Sequence, residues 1–169
     1  LHDSGATIFF SWAAPKGSAQ AIRKVGELGW KPKFFLAKTA TTIASVLKPA
    51  GLEYSKGIIS TAYVKDPTDA TWKDDPGVKK WATFMDEFYP DGDKTNANNA
   101  YAYVESEAMV QVLKQCGDNL TRENIMKQAT NLKNFRSEML LPGITINTSP
   151  DDYFPIEQMQ LMRFNGTTW

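Results

Sequence analysis

The chain has 169 residues, of which 42% are hydrophobic and 22% are charged, a balance typical of a globular protein rather than a disordered one. Its 19 basic and 19 acidic side chains cancel, so no excess of positive charge indicates binding to nucleic acid or to an anionic membrane. No apolar run approaches the roughly 20 residues that a membrane-spanning helix requires.

The first third of the chain alternates strands with helices. Short apolar runs rich in β-branched and aromatic residues predict strands over residues 6–12, 33–37 and 58–64. A helix from Pro15 to a left-handed cap at Gly29 is expected after the first strand. A second helix, covering Ile43 to Leu47 and capped by Thr41 or Thr42, is expected to stop at Pro49 and Gly51. Strands and helices in this order indicate a parallel sheet with right-handed crossovers.

The remainder begins with a polar linker over residues 66–77 and continues with three amphipathic helices. They are expected at residues 78–89, from Asn98 or Asn99 to Gly117, and from a Thr121 cap to Leu132. Residues 144–147 and 158–165 alternate like two strands of a returning ribbon. The three early strands already have their own helices. We therefore expect the three later helices to pack on a segment outside this sequence rather than on each other.

No residue pattern predicts catalysis. His2 is the one histidine and lies beside the terminus, which leaves no base for a nucleophilic triad and no nitrogen- or sulfur-rich metal cluster. Cys116 lies among apolar helix positions and is expected to be a buried, inert thiol. Residues 91–96 lack the acidic spacing of an EF-hand calcium loop. We expect no catalytic residue, no metal and no cofactor, and a small α/β enzyme is the weakest of the hypotheses.

A ligand site is expected where the predicted parallel strands end, since open α/β sheets bind ligands outside the carboxyl ends of their strands. Aromatic faces, hydroxyl groups and a cation in such a set suit a small, partly apolar anion. The alternative is that Trp12 and Tyr63 only pack the edge of the sheet. The candidate ligand-binding residues are Ser11, Trp12 and Ala13 after the first strand, Lys38 and Thr39 after the second, and Tyr63 after the third.

Nine short segments also carry a family resemblance through their order and spacing. They are AQAIRK (19–24), GWKP (29–32), VLKPAGL (46–52), GIIS (57–60), KDPTD (65–69), WKDDP (72–76), YPDGD (89–93), LTRENIM (120–126) and LPGI (141–144). Together they resemble the second lobe and the later segments of branched-chain amino-acid-type, leucine-binding-protein-like solute-binding proteins of ABC importers.

The resemblance implies an incomplete α/β type I periplasmic binding protein fold, in which two lobes close on a solute. It implies a second-lobe βαβαβ segment at 1–64, an inter-lobe crossover at 65–77, a helical segment of the first lobe at 78–140 and a returning second-lobe β-ribbon at 141–169. The family's second-lobe contacts fall on the six candidate residues. Amino-acid-binding members place an acid near the Lys38–Thr39 loop, where this sequence has Lys38, so relatives that bind aromatic carboxylates are the better guide.

The resemblance also implies a role, a location and partners. The function expected is the solute-binding component of an ABC importer, periplasmic after removal of a signal peptide, with a small carboxylate and a membrane permease as partners and no nucleic acid. A ligand-binding sensory domain of a receptor or regulator is the alternative. As a fragment, the chain is expected to self-associate or to pair with a missing N-terminal part. The apolar patch expected to drive this pairing includes Trp81, Met85, Phe88, Tyr101, Val104 and Met126.

Overall fold

The computed structural model describes all of residues 1–169 and contains one sheet and six α-helices, joined by short 3₁₀ and π turns. The strands are β1 (Ile8–Ser11), β2 (Lys33–Leu36), β3 (Ile59–Ala62) and β4 (Gln160–Arg163). The helices are α1 (Pro15–Glu27), α2 (Lys48–Ala50), α3 (Leu52–Ser55), α4 (Pro76–Phe88), α5 (Ala97–Cys116) and α6 (Arg122–Ala129).

The sheet has the strand order β1-β2-β3-β4. β1 pairs with β2 and β2 pairs with β3 in parallel, with Phe9 opposite Phe34, which confirms the predicted parallel βαβαβ arrangement. β4 comes from the far end of the chain and pairs antiparallel with β3, with Ser60 opposite Met162. The first three strands therefore end at one edge of the sheet, where the loops after them meet.

Helix α1 follows the sequence prediction closely. Pro15 occupies its first turn, where no backbone N–H is needed, and Gly29 just beyond its end has a φ of 63°, the left-handed region that glycine favours. Ile22 on its inner face is fully buried. The helix and the turns after β2 cover one face of the sheet. We call the resulting buried cluster the sheet core: Ile22, Phe34, Leu36, Ala40, Ile43, Val46, Leu47, Ala50, Ile58 and Phe164.

The segment after β2 differs from the prediction. Ile43–Leu47 forms a π turn that continues into α2, and Pro49 lies inside α2 instead of stopping it. A proline fits there because the first residues of a helix have no intrahelical partner for their N–H groups. Gly51, with a φ of 108°, ends α2, and the unpredicted α3 begins at the next residue. Thr42 precedes the π turn without a capping bond from its side chain.

A second buried cluster, the helical core, corrects the expectation that α4 and α5 lack a partner. Residues 132–146 fold back over both helices, so that Trp81, Met85 and Val104 are buried, whereas Phe88 and Met126 are exposed as expected. The helical core comprises Ala62, Val64, Val78, Trp81, Met85, Ala100, Val104, Val112, Cys116, Leu132, Met139, Leu140, Leu141, Ile144 and Ile146.

The ends of the later elements are partly as predicted. Thr121 caps α6, accepting a hydrogen bond from the Asn124 amide, as expected. The helix ends at Ala129, so Leu132 lies beyond it. α5 starts earlier than Asn98, because Asn96 is its cap and accepts from the Asn98 amide. A capping side chain needs a neighbouring amide two or three residues on, and both Asn96 and Asn98 satisfy that rule in the sequence.

Residues 144–147 do not form the expected strand. Ile146 makes one isolated antiparallel pair with Phe135 inside the helical core, and the later half of the predicted ribbon alone becomes a strand, β4. The alternation of Ile144 and Ile146 with polar residues reflects burial against helices, which gives the same period as burial on a sheet.

Two extended segments run side by side at the edge of the helical core, to which Val64, Met139, Leu140 and Leu141 belong. Tyr63–Lys65 leaves β3, and Met139–Leu141 comes after the helices. The Lys65 amide donates to the Met139 carbonyl at 2.9 Å, and the Leu141 amide donates to the Tyr63 carbonyl at 2.8 Å. Val64 and Leu140 form the antiparallel pair between these bonds. We call them the paired segments.

Three smaller findings complete the fold. Cys116 is a buried free thiol, as predicted. None of the helices combines the length and the hydrophobicity needed to cross a bilayer. The structure contains no group of three or more His, Cys, Asp or Glu side chains arranged to hold a metal ion.

Candidate functional site

Two of the predicted site residues meet at the carboxyl edge of the sheet. Lys38 lies in the 3₁₀ turn directly after β2, and Tyr63 follows β3. The Lys38 ammonium lies 3.7 Å from the centroid of the Tyr63 ring. It also lies 4.1 Å from the centroid of Tyr101, a residue of the first turns of α5. The two tyrosine rings meet edge to face at 5.5 Å. A lysine cation therefore sits against the faces of two aromatic rings, which is an attractive arrangement.

Partial burial changes the titration of all three groups. Burial lowers the pKa of Lys38 to about 8, and the negative charge of Glu105 opposes this effect. Burial also raises the pKa of the Tyr63 hydroxyl, with a further contribution from Glu105. The pKa of Tyr101 is raised strongly, again mainly through burial. At neutral pH the cluster thus holds one cation and two neutral phenols in a poorly solvated environment.

Glu105 brings an acid close to Lys38 that the local sequence does not show. The Lys38–Thr39 loop, where amino-acid-binding relatives are expected to have an acid, contains none. Glu105 comes instead from α5, one helical turn after Tyr101, and the i, i+4 spacing places both side chains on one face. Its side chain is exposed and makes no ion pair with Lys38 within 4 Å. It therefore moderates the positive potential of the cluster without neutralising Lys38.

The other predicted residues lie near the cluster in different settings. Ser11 is buried, and its hydroxyl lies 3.5 Å from that of Ser18, which donates to the Ala13 carbonyl. These contacts hold the turn between β1 and α1. Trp12 is 81% exposed and stacks on Phe10. Ser11 and Ala13 thus have structural partners in this conformation, and Trp12 has an open aromatic face.

Thr39 is exposed and takes no part in the cluster. Its neighbour Thr41, which is not among the predicted site residues, is buried and donates its hydroxyl to the Lys38 carbonyl at 2.8 Å. Thr41 also accepts, through its own carbonyl, a hydrogen bond from the indole of Trp169. These two bonds fix the turn that carries Lys38.

Two cavities border the cluster. A cavity of about 150 Å³ lies on the open face of the sheet, where Trp12, Phe10, Phe35 and Lys38 contribute to its walls. A second cavity of about 330 Å³ lies beside the paired segments, and Tyr101 forms part of its wall. Small-molecule sites commonly combine such apolar walls with a few placed polar groups. The cluster therefore borders two spaces that could admit a small solute.

The wall of the larger cavity is fixed by two carboxylates, Asp66, which is partly buried, and Asp69, which is buried. Asp66 accepts from the amide and hydroxyl of Thr68 and from the Ile43 amide, and burial raises its pKa despite these bonds. Asp69 accepts from the Thr71 and Trp169 amides at 2.8 Å. These carboxylates hold the segment after β3 in place through bonds to the backbone.

Sequence reasoning missed Tyr101 and Glu105 as members of the site. The sequence places Tyr101 on the inner face of a helix, and it does pack against the helical core. The sequence does show that Tyr101 and Glu105 lie one helical turn apart. Their proximity to the loop after β2, more than 60 residues earlier, results from tertiary packing.

With this geometry established, comparison with known proteins defines the class. The profile of a family described as Periplasmic binding protein matches residues 1–168, and the chain belongs to this family. A comparison with curated protein sequences returns no match.

Solved structures agree with this membership. A substrate-binding periplasmic protein from Ralstonia solanacearum superposes with a TM-score of 0.78 at 15% identity, covering 97% of this chain and 44% of the other. A branched-chain amino acid ABC transporter protein from Thermus thermophilus with bound valine gives 0.75 at 14%, covering 98% and 44%. A fatty acid ABC transporter substrate-binding protein from Thermomonospora curvata gives 0.64 at 18%, covering 96% and 41%.

These likenesses establish the fold. The chain has a partial type I periplasmic binding protein fold with a mainly parallel sheet, as predicted, and it spans less than half the length of the structures it matches. The neighbours are substrate-binding proteins of ABC transporters.

Proposed function

We propose that this chain is part of the solute-binding component of an ABC importer, which captures a small carboxylate by closure of two lobes and presents it to a membrane permease. We place the protein in the periplasm, following its family. The chemistry is binding rather than catalysis. The observation that carries the proposal is the Lys38 ammonium held against Tyr63 and Tyr101 at the carboxyl edge of the sheet.

The cation favours an anionic solute. None of the ion pairs in the protein involves Lys38, so its charge is available to a ligand carboxylate. The partly desolvated setting strengthens such a pair relative to the same contact in water. The solutes named for two neighbours, valine and a fatty acid, both carry a carboxylate.

The aromatic surroundings favour an aromatic acid over a branched-chain amino acid. Tyr63, Tyr101 and the exposed ring of Trp12 offer flat faces on which a ring can stack. An amino acid also carries an ammonium group, which Lys38 repels. Glu105 offsets part of that repulsion, so the preference is one of degree.

The division of the chain follows the same proposal. Residues 1–64 form a second-lobe segment, 65–77 a crossover, 78–140 a helical segment of the first lobe and 141–169 the return to the second lobe. The sheet core and the helical core support two lobes, and the helical core also takes in the ends of the flanking segments, Ala62, Val64, Leu141, Ile144 and Ile146. We place the six candidate residues, Ser11, Trp12, Ala13, Lys38, Thr39 and Tyr63, in the second-lobe half of the cleft and add Tyr101 on the first-lobe side.

We also propose that residues 1–169 in isolation self-associate or pair with the rest of such a fold. One face of the sheet has no helix on it, and its large apolar side chains are exposed. They include Ile8, Phe10, Trp12 and Leu161. An apolar sheet face of this kind requires a cover in water. Light scattering on the isolated segment tests this: a monodisperse monomer would contradict it.

The solute is tested by calorimetry on the protein as its gene encodes it, including any flanking sequence. Benzoate and L-leucine are titrated separately at pH 7. Benzoate is expected to bind more tightly than leucine, and Lys38→Met is expected to weaken benzoate binding most. Tighter binding of leucine would overturn the aromatic preference, and no heat with either solute would overturn the assignment to carboxylates. Lys56→Met, an exposed lysine beyond the site, serves as the control.

A further inference from the structure

Lys65, at the end of the first paired segment, is a buried lysine with a complete set of partners. Its residue is 8% exposed. The ammonium donates to both carboxylate oxygens of Asp75, at 2.8 and 2.7 Å, and to the Glu138 carbonyl at 2.8 Å. An ammonium group has three protons to donate, and three acceptors surround it here. The Trp72 ring lies 5.4 Å from the same nitrogen.

Lys65 and its partners come from three separate parts of the chain. Asp75 also accepts from the Val78 amide and so caps α4. Glu138 immediately precedes the second paired segment. One side chain thus joins the exit from β3, the start of α4 and the return from the helices. Burial alone would raise the pKa of Asp75, but its bonds to Lys65 and to backbone amides lower the pKa overall.

The Glu138 carbonyl that Lys65 binds is also packed tightly against helix α4. Gly77, in the first turn of α4, lies so close to the Glu138 backbone that an added Cβ would stand 2.5 Å from the Glu138 carbonyl oxygen. That oxygen is the one that Lys65 binds. The glycine therefore allows the return segment to approach α4 closely enough for Lys65 to reach both.

The Lys65 contact differs from the surface ion pairs around it. Lys79 and Asp74, a few residues away, form a pair at 3.0 Å whose side chains are 61% and 85% exposed. Exposed pairs contribute little, whereas loss of one partner from a buried pair leaves an uncompensated charge in a poorly solvated place. Loss of Lys65 is therefore expected to disturb the paired segments, whereas loss of Lys79 is not.

The solute site connects to this contact through two residues of backbone. The Tyr63 carbonyl is held by the Leu141 amide in the same pair of segments that Lys65 joins. The Tyr63 ring carries Lys38 on its face. Rotation or sliding of the paired segments therefore moves Tyr63 relative to Lys38 and Tyr101.

We propose that Lys65 is a positioning residue for solute binding: by joining Asp75 to the Glu138 carbonyl it fixes the register of the paired segments and holds Tyr63 where the solute requires it. Its ammonium protons are all taken by Asp75 and Glu138, so Lys65 acts on the solute through Tyr63, although its side chain also lines part of the larger cavity. The inference rests on the proposed function for its effect on affinity, while its effect on the paired segments stands independently of any solute. Lobe closure bends the chain at such connecting segments, so their register also sets the geometry of the closed state.

The test uses the complete gene product and two measurements. Hydrogen exchange without solute reports the Leu141 amide, and benzoate calorimetry reports the dissociation constant together with the binding stoichiometry. Lys65→Met is expected to speed exchange at Leu141 and to weaken benzoate binding by about tenfold at unchanged stoichiometry, because small displacements at a site have effects of this size or larger. Lys65→Arg, which keeps the charge, is expected to retain most of the exchange protection at Leu141 and most of the benzoate affinity. Lys79→Met is expected to change neither quantity.

The outcomes separate the possible failures. A purely structural role would lower the stoichiometry and leave the dissociation constant of the folded fraction unchanged, which would overturn the positioning role. Should Lys65→Met fail to fold, Gly77→Ala displaces the Glu138 carbonyl while leaving Lys65 and Asp75 in place, and the same two changes are expected. Absence of benzoate binding by the unaltered protein would count against the proposed function. Unchanged exchange at Leu141 in Lys65→Met would overturn the inference itself.

Discussion

The ammonium group of Lys38 lies 4.1 Å from the centroid of the Tyr101 ring and joins the loop after β2 to helix α5. In the proposed two-lobe arrangement this contact crosses from one lobe to the other. A cation over an aromatic face contributes about 0.5–2 kcal/mol, depending on how far it is removed from water. A solute carboxylate that pairs with Lys38 therefore acts on the same ammonium group that joins the two halves of the cleft.

The first prediction concerns pH. Since burial lowers the pKa of Lys38 to about 8, Lys38 is charged below that pH and loses its charge above it. Benzoate stays ionised throughout, so its affinity is expected to be steady from pH 6 to 7.5 and to fall as pH rises through about 8. Calorimetry across this range measures it. Lys38→Met is expected to bind weakly with no such fall, and a wild-type profile that is flat to pH 9.5 would contradict the role of Lys38.

The lowered pKa of Lys38 also affects stability, which is expected to rise with pH where benzoate affinity falls. In the unfolded chain Lys38 keeps an ordinary pKa of about 10.5, so between pH 8 and 10.5 the unfolded state binds more protons than the folded one. This group therefore makes folding more favourable as pH rises through that window. At pH 7 Lys38→Met is expected to be more stable than wild type, because it removes a charge that burial disfavours. The free energy of unfolding of both proteins at pH 7 and pH 10 tests this, since the difference between them is expected to shrink at pH 10.

Tyr101 provides the second prediction. Tyr101→Phe keeps the ring that faces Lys38, and its affinity for benzoate is expected to stay within about threefold of wild type. Tyr101→Ala removes a face on which the benzoate ring is proposed to stack and is expected to weaken binding by about tenfold, close to 1.4 kcal/mol, within the range for a pair of aromatic rings. Equal losses in both variants would show that the hydroxyl, rather than the ring, makes the essential contact.

The extent to which this site was predictable depends on how far its residues lie apart in sequence. The proximity of Lys38 and Tyr63 was predictable because the ends of neighbouring parallel strands share an edge, which follows from the strand pattern alone. Tyr101 and Glu105 come from a helix beyond the linker, and their place beside Lys38 depends on how the two cores pack. Local pattern carries no information about that packing.

The fold shows the same division. The βαβαβ order and the ends of α1 follow from apolar periodicity and from Pro15 and Gly29. The strand predicted at residues 144–147 is wrong because Ile144 and Ile146 alternate with polar residues while packing on helices. Trp81 is in a core, as its place on a helix inner face indicates, but its cover within this chain was not foreseen, because residues 132–146 have no regular structure of their own for the sequence to reveal.

Glu105 gives the third prediction. Its charge raises the pKa of Lys38 against the effect of burial, and it also repels an approaching carboxylate. Glu105→Gln is therefore expected to tighten benzoate binding at pH 6.5 by about threefold, an effect typical of a charge near a solvated surface. It is also expected to move the fall in benzoate affinity to a lower pH. Glu87→Gln on the exposed side of α4 is the matched control. Weaker benzoate binding in Glu105→Gln would indicate that Glu105 contacts the solute directly.

The fourth prediction concerns the helical core. Trp81 is 1% exposed, and its indole nitrogen has no hydrogen-bond partner in the protein. Trp81→Ala is expected to lower the free energy of unfolding by about 3–5 kcal/mol, because a large buried side chain is lost and a cavity remains. Trp81→Phe keeps most of the packing and removes the unpaired donor, whose burial is itself unfavourable, so its cost is expected to be clearly smaller. Urea denaturation of the complete gene product measures both variants. Equal losses would mean that the cavity contributes little and that the indole nitrogen has a partner, such as a bound water, whose loss accounts for the effect in both variants.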